Sequence, residues 1–330
     1  MKASGELKVE DLRVSFQTAQ GTVRAVNGVG FVVKPGDVLG VVGESGCGKS
    51  ATLRAIAGLT QPPGHIDGGR VEFDGRELTG LGRGGLRRIL GNEIGFISQS
   101  PFGALNPILS IERQFRNVIK AHRRASAREC REIALKALRD VGIAGPERVL
   151  DGYAHQLSGG MAQRVVIAMA TVHNPQLILA DEPTTALDVT VQRQILDLIT
   201  GLIAESNRSM LIVTHDLGVV AQYCTRVLVM YAGQAVEEGT VDQVFRTPQH
   251  PYTQALLAAV PKVGGEIRGL QGGLPDLINY PSGCPYADRC PKATEVCVET
   301  RPPMVRAGQG RRTACHHAAG EVAGYAAARS

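Results

Sequence analysis

The feature that most narrows the possible folds is Gly43-Glu44-Ser45-Gly46-Cys47-Gly48-Lys49-Ser50, which follows the apolar run from Val38 to Val42. A strand that turns through glycines into a helix points several backbone N–H groups inward, a cradle for phosphate oxygens. The positive end of the following helix strengthens the pull on an anion. In that cradle Lys49 would meet the outer phosphates and the Ser50 hydroxyl would ligate Mg²⁺, with Ala51 beside them. The helix is expected to stop at Gly58.

Strand and helix patterns frame the loop. Leu12, Val14 and Phe16 alternate within Leu7 to Phe16, as in a half-buried strand. Phe31-Val32-Val33 and then Lys34-Pro35-Gly36-Asp37 read as a strand and a turn, and Ile94 to Ser98 as another short strand. The character changes over 101–155. There Ser126 and Glu129 form a capping box, and Cys130, Ile133, Ala134, Ala137, Leu138 and Val141 share one helical face. Beyond it, Leu177 to Ala180 and Leu211 to Thr214 are continuous apolar strands, as in a parallel sheet covered on both faces. From Gln249 onward Pro and Gly become frequent and periodicity fades, without any internal repeat. The expected architecture is α/β. It has a mainly parallel core sheet, an N-terminal antiparallel β portion and an all-helical insertion at about 101–158. Residues 1–248 form the main domain and 249–330 a small loop-rich domain carrying cysteines.

Composition excludes several classes. The chain has 330 residues, 43% of them apolar, yet its longest aliphatic runs are strand-sized. A membrane helix needs roughly 20 apolar residues. Met1 to Glu6 lack the apolar segment of a secretory signal. The expectation is a cytosolic or membrane-peripheral chain. A net charge of +5 with 4% aromatics and no Trp offers little stacking material, so no nucleic-acid partner is expected.

Two further stretches carry chemistry. Asp181 and Glu182 follow a buried strand and precede Pro183, which places two carboxylates at the sheet edge beside the phosphates. Asp181 would hold Mg²⁺ through water. In Leu157-Ser158-Gly159-Gly160-Met161-Ala162-Gln163-Arg164, the residues Ser158, Gly159 and Gly160 open a helix and make a second anion site. A phosphate cradled at Gly43 cannot also be held there. The second site must serve nucleotide on a partner chain.

Together these motifs resemble the ATP-binding cassette (ABC) ATPases, which have a P-loop NTPase fold. The resemblance implies ATP and Mg²⁺ as ligands, with Glu182 polarising the attacking water and His215 contacting the γ-phosphate as the catalytic pair. It also implies that Gln99 senses Mg²⁺ and water and that Phe16 stacks on adenine. Ser158, Gly159, Gly160, Gln163 and the run Ala186-Leu187-Asp188 would face the ATP of a second cassette. His250-Pro251-Tyr252-Thr253-Gln254-Ala255-Leu256-Leu257 and Gly283-Cys284-Pro285-Tyr286-Ala287-Asp288-Arg289-Cys290-Pro291 are similar to the C-terminal region of ATPase subunits of dipeptide, oligopeptide and nickel importers. That similarity implies a second, related ATPase, two permeases and an extracytoplasmic binding protein, with this chain peripheral on the cytoplasmic face of the membrane. It does not name the solute, so nickel or another small solute stays open beside peptides. A soluble ABC ATPase acting on ribosomes or DNA is the rival of another class. Such proteins usually carry two cassettes or long coiled coils, and this chain has neither.

The seven cysteines divide in two. Cys47 lies inside the phosphate loop, where Lys49 and a helix N-terminus would both favour thiolate; the alternative is a small inert filler. Cys284, Cys290, Cys297 and Cys315 suit a [4Fe–4S] cluster or a tetrahedral zinc, with His316 and His317 as substitute ligands. Their spacing matches neither the zinc pair nor the ferredoxin run. Resemblance to the importer family favours iron, and four reduced thiols remain the alternative.

Overall fold

The computed structural model describes residues 5–185, 187–204, 208–260, 270, 272–308 and 310–318. The chain opens with β1 (Leu7–Thr18) and β2 (Gly21–Val33), which pair antiparallel. Alternation in β1 is first reset where Glu10 and Asp11 are both exposed and the register shifts between Val9 and Leu12. That bulge returns Leu12 and Val14 to the core face beside Leu7 and Val9. β3 (Val38–Val42), buried at all five positions, leads through the glycine loop into α1 (Lys49–Ile56). Gly58, at φ +62°, ends that helix in the left-handed conformation that glycine tolerates. β4 (Gly64–Phe73) and β5 (Arg76–Glu77) complete a four-stranded antiparallel sheet in the order β2-β1-β4-β5.

After α2 (Arg83–Ile89) and β6 (Ile94–Ile97) the chain becomes helical, with α3 (Pro101–Ala104), α4 (Ile111–His122), α5 (Ala127–Asp140) and α6 (Pro146–Asp151). Ile111, Phe115 and Ile119 of α4 and Cys130, Ala134 and Leu138 of α5 form buried stripes at four-residue spacing. Ser126 and Glu129 make the expected reciprocal cap on α5. α7 (Gly159–Thr171) returns to the sheet, followed by β7 (Leu177–Asp181), α8 (Val189–Ala204), β8 (Ser209–Val213), α9 (Leu217–Tyr223), β9 (Arg226–Tyr231) and β10 (Gln234–Thr240).

Strands β9, β3, β8, β7 and β6 run parallel, and their apolar faces are covered on both sides. The phosphate loop and the acidic pair therefore leave the same C-terminal edge of this sheet, the usual ligand edge of an α/β fold.

The tail contributes α10 (Val241–Arg246), α11 (Pro251–Ala258), α12 (Glu295–Glu299), β11 (Val305–Arg306) and β12 (Arg312–Thr313). Short strands punctuate this loop-rich lobe. β12 pairs with β10, so the order among the described residues is β11-β12-β10-β9-β3-β8-β7-β6. Charge rather than hydrophobic pattern fastens this edge. Glu237, fully buried, accepts from the backbone N–H groups of Gln249 and His250 at 2.9 Å and pairs with Arg311. Glu238 pairs with both Arg226 and Arg312. Removing one partner of such a buried pair costs about 3–5 kcal/mol.

Candidate functional site

Two positions in the phosphate loop require glycine. A Cβ on Gly48, at φ +101°, would lie 2.2 Å from the Ala25 carbonyl oxygen, and one on Gly43 would lie 2.1 Å from that of Met230. Lys49 follows as the first residue of α1 and is 6% exposed. Its Nζ donates to the carbonyl oxygens of Gly43 at 2.8 Å and Glu44 at 3.0 Å, folding the ammonium back over the loop.

Ser50 donates a 2.7 Å hydrogen bond to Asp181 Oδ1 at the end of β7. Asp181 is 1% exposed, and Arg54 Nη2 stands 3.6 Å from its other oxygen. A hydroxyl and a carboxylate at this separation are hard oxygen donors, the set that Mg²⁺ takes.

Glu182 adopts φ +45°, a left-handed backbone that non-glycine residues rarely keep without surrounding constraint. The constraint is visible. Gln99 Nε2 at 3.2 Å, the Thr185 hydroxyl at 2.7 Å and His215 Nδ1 at 3.3 Å all reach Glu182 Oε2. Ser45, Lys49, Ser50, Gln99, Glu182 and His215 line one cavity of about 450 Å³, together with Gly46 and Gly48. A second cavity of about 540 Å³ contains Phe16 and Asp181 and shares Ala51 and Gln99 with the first. A larger hollow of about 630 Å³, lined by Lys136, Asp140 and Arg208, holds none of these residues; size alone does not mark the site.

Ser158, Gly159, Gly160 and Asp188 do not line the phosphate cavity. Exposed Ser158 caps α7 by accepting from the Met161 N–H at 3.3 Å, and exposed Asp188 accepts from the Val191 N–H at 3.0 Å. The two caps adjoin: the Gly159 position faces Leu187, and the Gly160 position faces Val191. Ala186 lies outside the described residues. Gln163 departs from expectation. At 1% exposed it points into the protein rather than toward a partner's nucleotide, because its position on α7 falls on the buried stripe with Val166 and Ile167.

Of the two readings of Cys47, the buried one fits the structure better. The side chain is fully buried, and burial pushes its thiol up, outweighing the opposing pull of Lys49. It fills the loop as a small inert residue.

The tail thiols share a lobe but not a ligand shell. Cys297 Sγ lies 3.5 Å from His317 Nε2, and Cys315 Sγ accepts from the His317 N–H at 3.4 Å. His316 instead contacts the Thr300 carbonyl at 2.8 Å. Burial pushes Cys284 up to about 11 and raises Cys290 and Cys315, with neighbouring thiols adding to each. Among the described residues, no group of three or more His, Cys, Asp or Glu side chains is arranged to hold a metal ion. The thiols as placed do not fit a cluster.

Sequence reasoning missed Tyr252 and Arg289. Both reach Glu44 of the phosphate loop, from 208 and 245 residues away, and no local pattern signals such contacts.

Residues 26–185 match the ABC transporter family and residues 236–297 the oligopeptide/dipeptide transporter C-terminal region. The oligopeptide transport ATP-binding protein AppD of Bacillus subtilis is 42% identical over 94% of this chain and 95% of its own. The chain belongs to the ABC transporter ATPase family. Another member, the dipeptide transport ATP-binding protein DppD of Bacillus subtilis, is 46% identical over 90% of each chain. Among solved ABC structures, the cassette MJ0796, in a dimeric post-hydrolysis state with ADP and phosphate, superimposes with a TM-score of 0.64 at 30% identity. That match covers 71% of this chain and 98% of the other. This ABC ATPase has no described helix long and apolar enough to cross a membrane.

Proposed function

We propose that this chain is the ATP-hydrolysing subunit of an importer for dipeptides or oligopeptides, peripheral on the cytoplasmic face of its membrane. The observation that carries the reading is the separation of two anion sites on one chain. The phosphate cavity gathers Lys49, Ser50, Glu182 and His215, while the Ser158 helix start and Asp188 adjoin each other outside it. Two cassettes packed head to tail would bring each Ser158–Gly160 start onto the ATP held by the other.

In this reading the loop amides and Lys49 bind the phosphates, and Phe16 stacks on the base. Ser50, and Asp181 through water, would hold Mg²⁺, which when bound would supply neutralisation of phosphate charge. Gln99, Thr185 and His215 occupy Glu182 Oε2, which leaves Oε1 to orient a water for attack on the γ-phosphate. Loss of that phosphate removes the contact between cassettes.

The helical stretch supports docking on permeases. Phe102, Ile108 and Tyr153 are exposed at 46%, 81% and 40%, and a backbone bridge between Ser110 and Tyr153 draws the last two segments together. Peptide as the solute rests on the tail region and on the named relatives. For Cys284, Cys290, Cys297 and Cys315 we retain iron–sulfur ligation, or zinc, as part of the proposal. Its support is the likeness of the tail to importer subunits, since the four thiols form no ligand group among the described residues. Stoichiometric iron in an anaerobic preparation supports it, and metal-free thiols refute it.

Co-purification from detergent-solubilised membranes tests the whole reading. Two permeases, a second ATPase and a binding protein are expected; ribosomal or DNA-repair factors alone would contradict it.

A further inference from the structure

Glu44, the second residue of the phosphate loop, is held from the tail. Its backbone N–H donates to the Tyr252 hydroxyl at 2.9 Å. Its carboxylate receives Arg289 Nη1 at 2.9 and 3.3 Å. The pair is largely shielded, with Arg289 10% and Glu44 21% exposed. Arg289 Nη1 also donates to the Tyr231 hydroxyl at 3.2 Å, and the guanidinium lies 5.6 Å from the ring centroids of both Tyr231 and Tyr286. Beside it, Leu274 of the tail is the neighbour that a side chain at Gly46 would meet. A carboxylate at this point of the loop would repel a polyphosphate if it stood alone, and the repulsion is strongest where water is scarce.

We propose that Arg289 is a positioning residue for nucleotide. It holds the phosphate loop through Glu44 and cancels the charge of that carboxylate, so the cysteine-bearing lobe sets the affinity of the ATP site. Arg289 immediately precedes Cys290, which makes the lobe's own state part of that setting. The other ion pairs between tail and cassette, such as Arg312 with Glu238, fasten the lobe at β10 without reaching the loop. They separate a local effect from a general loosening.

The inference rests on the nucleotide site at Lys49, and the test separates the two. Binding of a fluorescent ATP analogue to the full chain is measured for wild type, Arg289→Ala, Arg312→Ala and the double variant Glu44→Gln/Arg289→Ala. Arg289→Ala is expected to weaken binding roughly tenfold, the scale of one charge-assisted contact. Arg312→Ala is expected to lower thermal stability and leave binding unchanged. Removing the unpaired carboxylate in the double variant should recover part of the loss, a coupling that a merely structural role would not produce. Where Arg289→Ala does not fold, Arg289→Gln keeps a hydrogen-bonding side chain and carries the same expectation. Equal binding by wild type and the Arg289 variants, or a double variant no better than the single, overturns the inference alone. A wild-type chain that binds no analogue overturns the nucleotide site and the inference with it.

Discussion

The Ser50 hydroxyl and the Asp181 carboxylate, 131 residues apart, share a 2.7 Å hydrogen bond that links the phosphate cavity, lined by Ser50, to the neighbouring cavity, lined by Asp181. One group comes from the start of α1 and the other from the end of β7, so the parallel sheet itself sets their separation. Oxygen donors placed this way before any ion arrives are organised for Mg²⁺. Asp181→Asn keeps the size and an acceptor but removes the charge. We expect Mg²⁺-dependent turnover to fall at least a hundredfold, with chelation of Mg²⁺ abolishing it in wild type. A steady-state Mg²⁺ titration of ATPase rate checks both.

Glu182→Gln retains the contacts that converge on this residue but weakens its ability to polarise water. Phosphoryl transfer depends on positioning and electrostatics, so binding should survive while turnover falls by about two to three orders of magnitude. Single-turnover phosphate release alongside equilibrium ATP binding measures the two separately. Undiminished turnover would remove Glu182 from the mechanism.

Cys47 is enclosed, with its thiol pushed up by burial, so alkylation of the folded chain should be slow at neutral pH. Cys47→Ala should keep most of the ATPase activity. Mass-spectrometric mapping after brief maleimide treatment is expected to find Cys47 unmodified; rapid labelling there would contradict the buried placement.

His250 carries a pH dependence that can be signed. Its ring is buried, Nδ1 accepts the Tyr252 N–H at 3.1 Å, and burial lowers its pKa from 6.5 to about 4. The folded state therefore favours the neutral imidazole. Its contribution is fully present above about pH 6.5, declines as pH falls, and is lost near pH 4. The total is roughly 3 kcal/mol. Urea denaturation at pH 7 and pH 4.5 should show the loss, and His250→Asn, which can still cap α11, should flatten that part of the profile.

Residues whose role is written in local backbone geometry were legible in the sequence. The glycines lead from β3 to Lys49 and Ser50 at the start of α1, Asp181 closes β7 just before Glu182, and His215 follows β8. Parallel strands deliver their ends to one edge. Gln99 follows β6 onto the same edge, and its role, like that of His215, comes from the family resemblance rather than from local pattern. Residues whose role depends on long-range packing were not. Gln163 reads as part of an exposed motif but lies on the buried stripe of its helix. Arg311, Arg312 and Thr313 read as polar loop, yet Arg312 and Thr313 pair as β12 with β10, where Glu237 and Glu238 hold Arg311 and Arg312. The contact between Glu44 and Arg289 joins the loop to a lobe with no periodic pattern at all.

Peptide uptake by cells lacking this chain is the most direct measurement of the central claim. A labelled oligopeptide should fail to accumulate in such cells, and expression of the wild-type chain should restore uptake while Glu182→Gln should not. Uptake unaffected by loss of the chain, or restored equally by Glu182→Gln, would contradict an ATP-driven peptide import role.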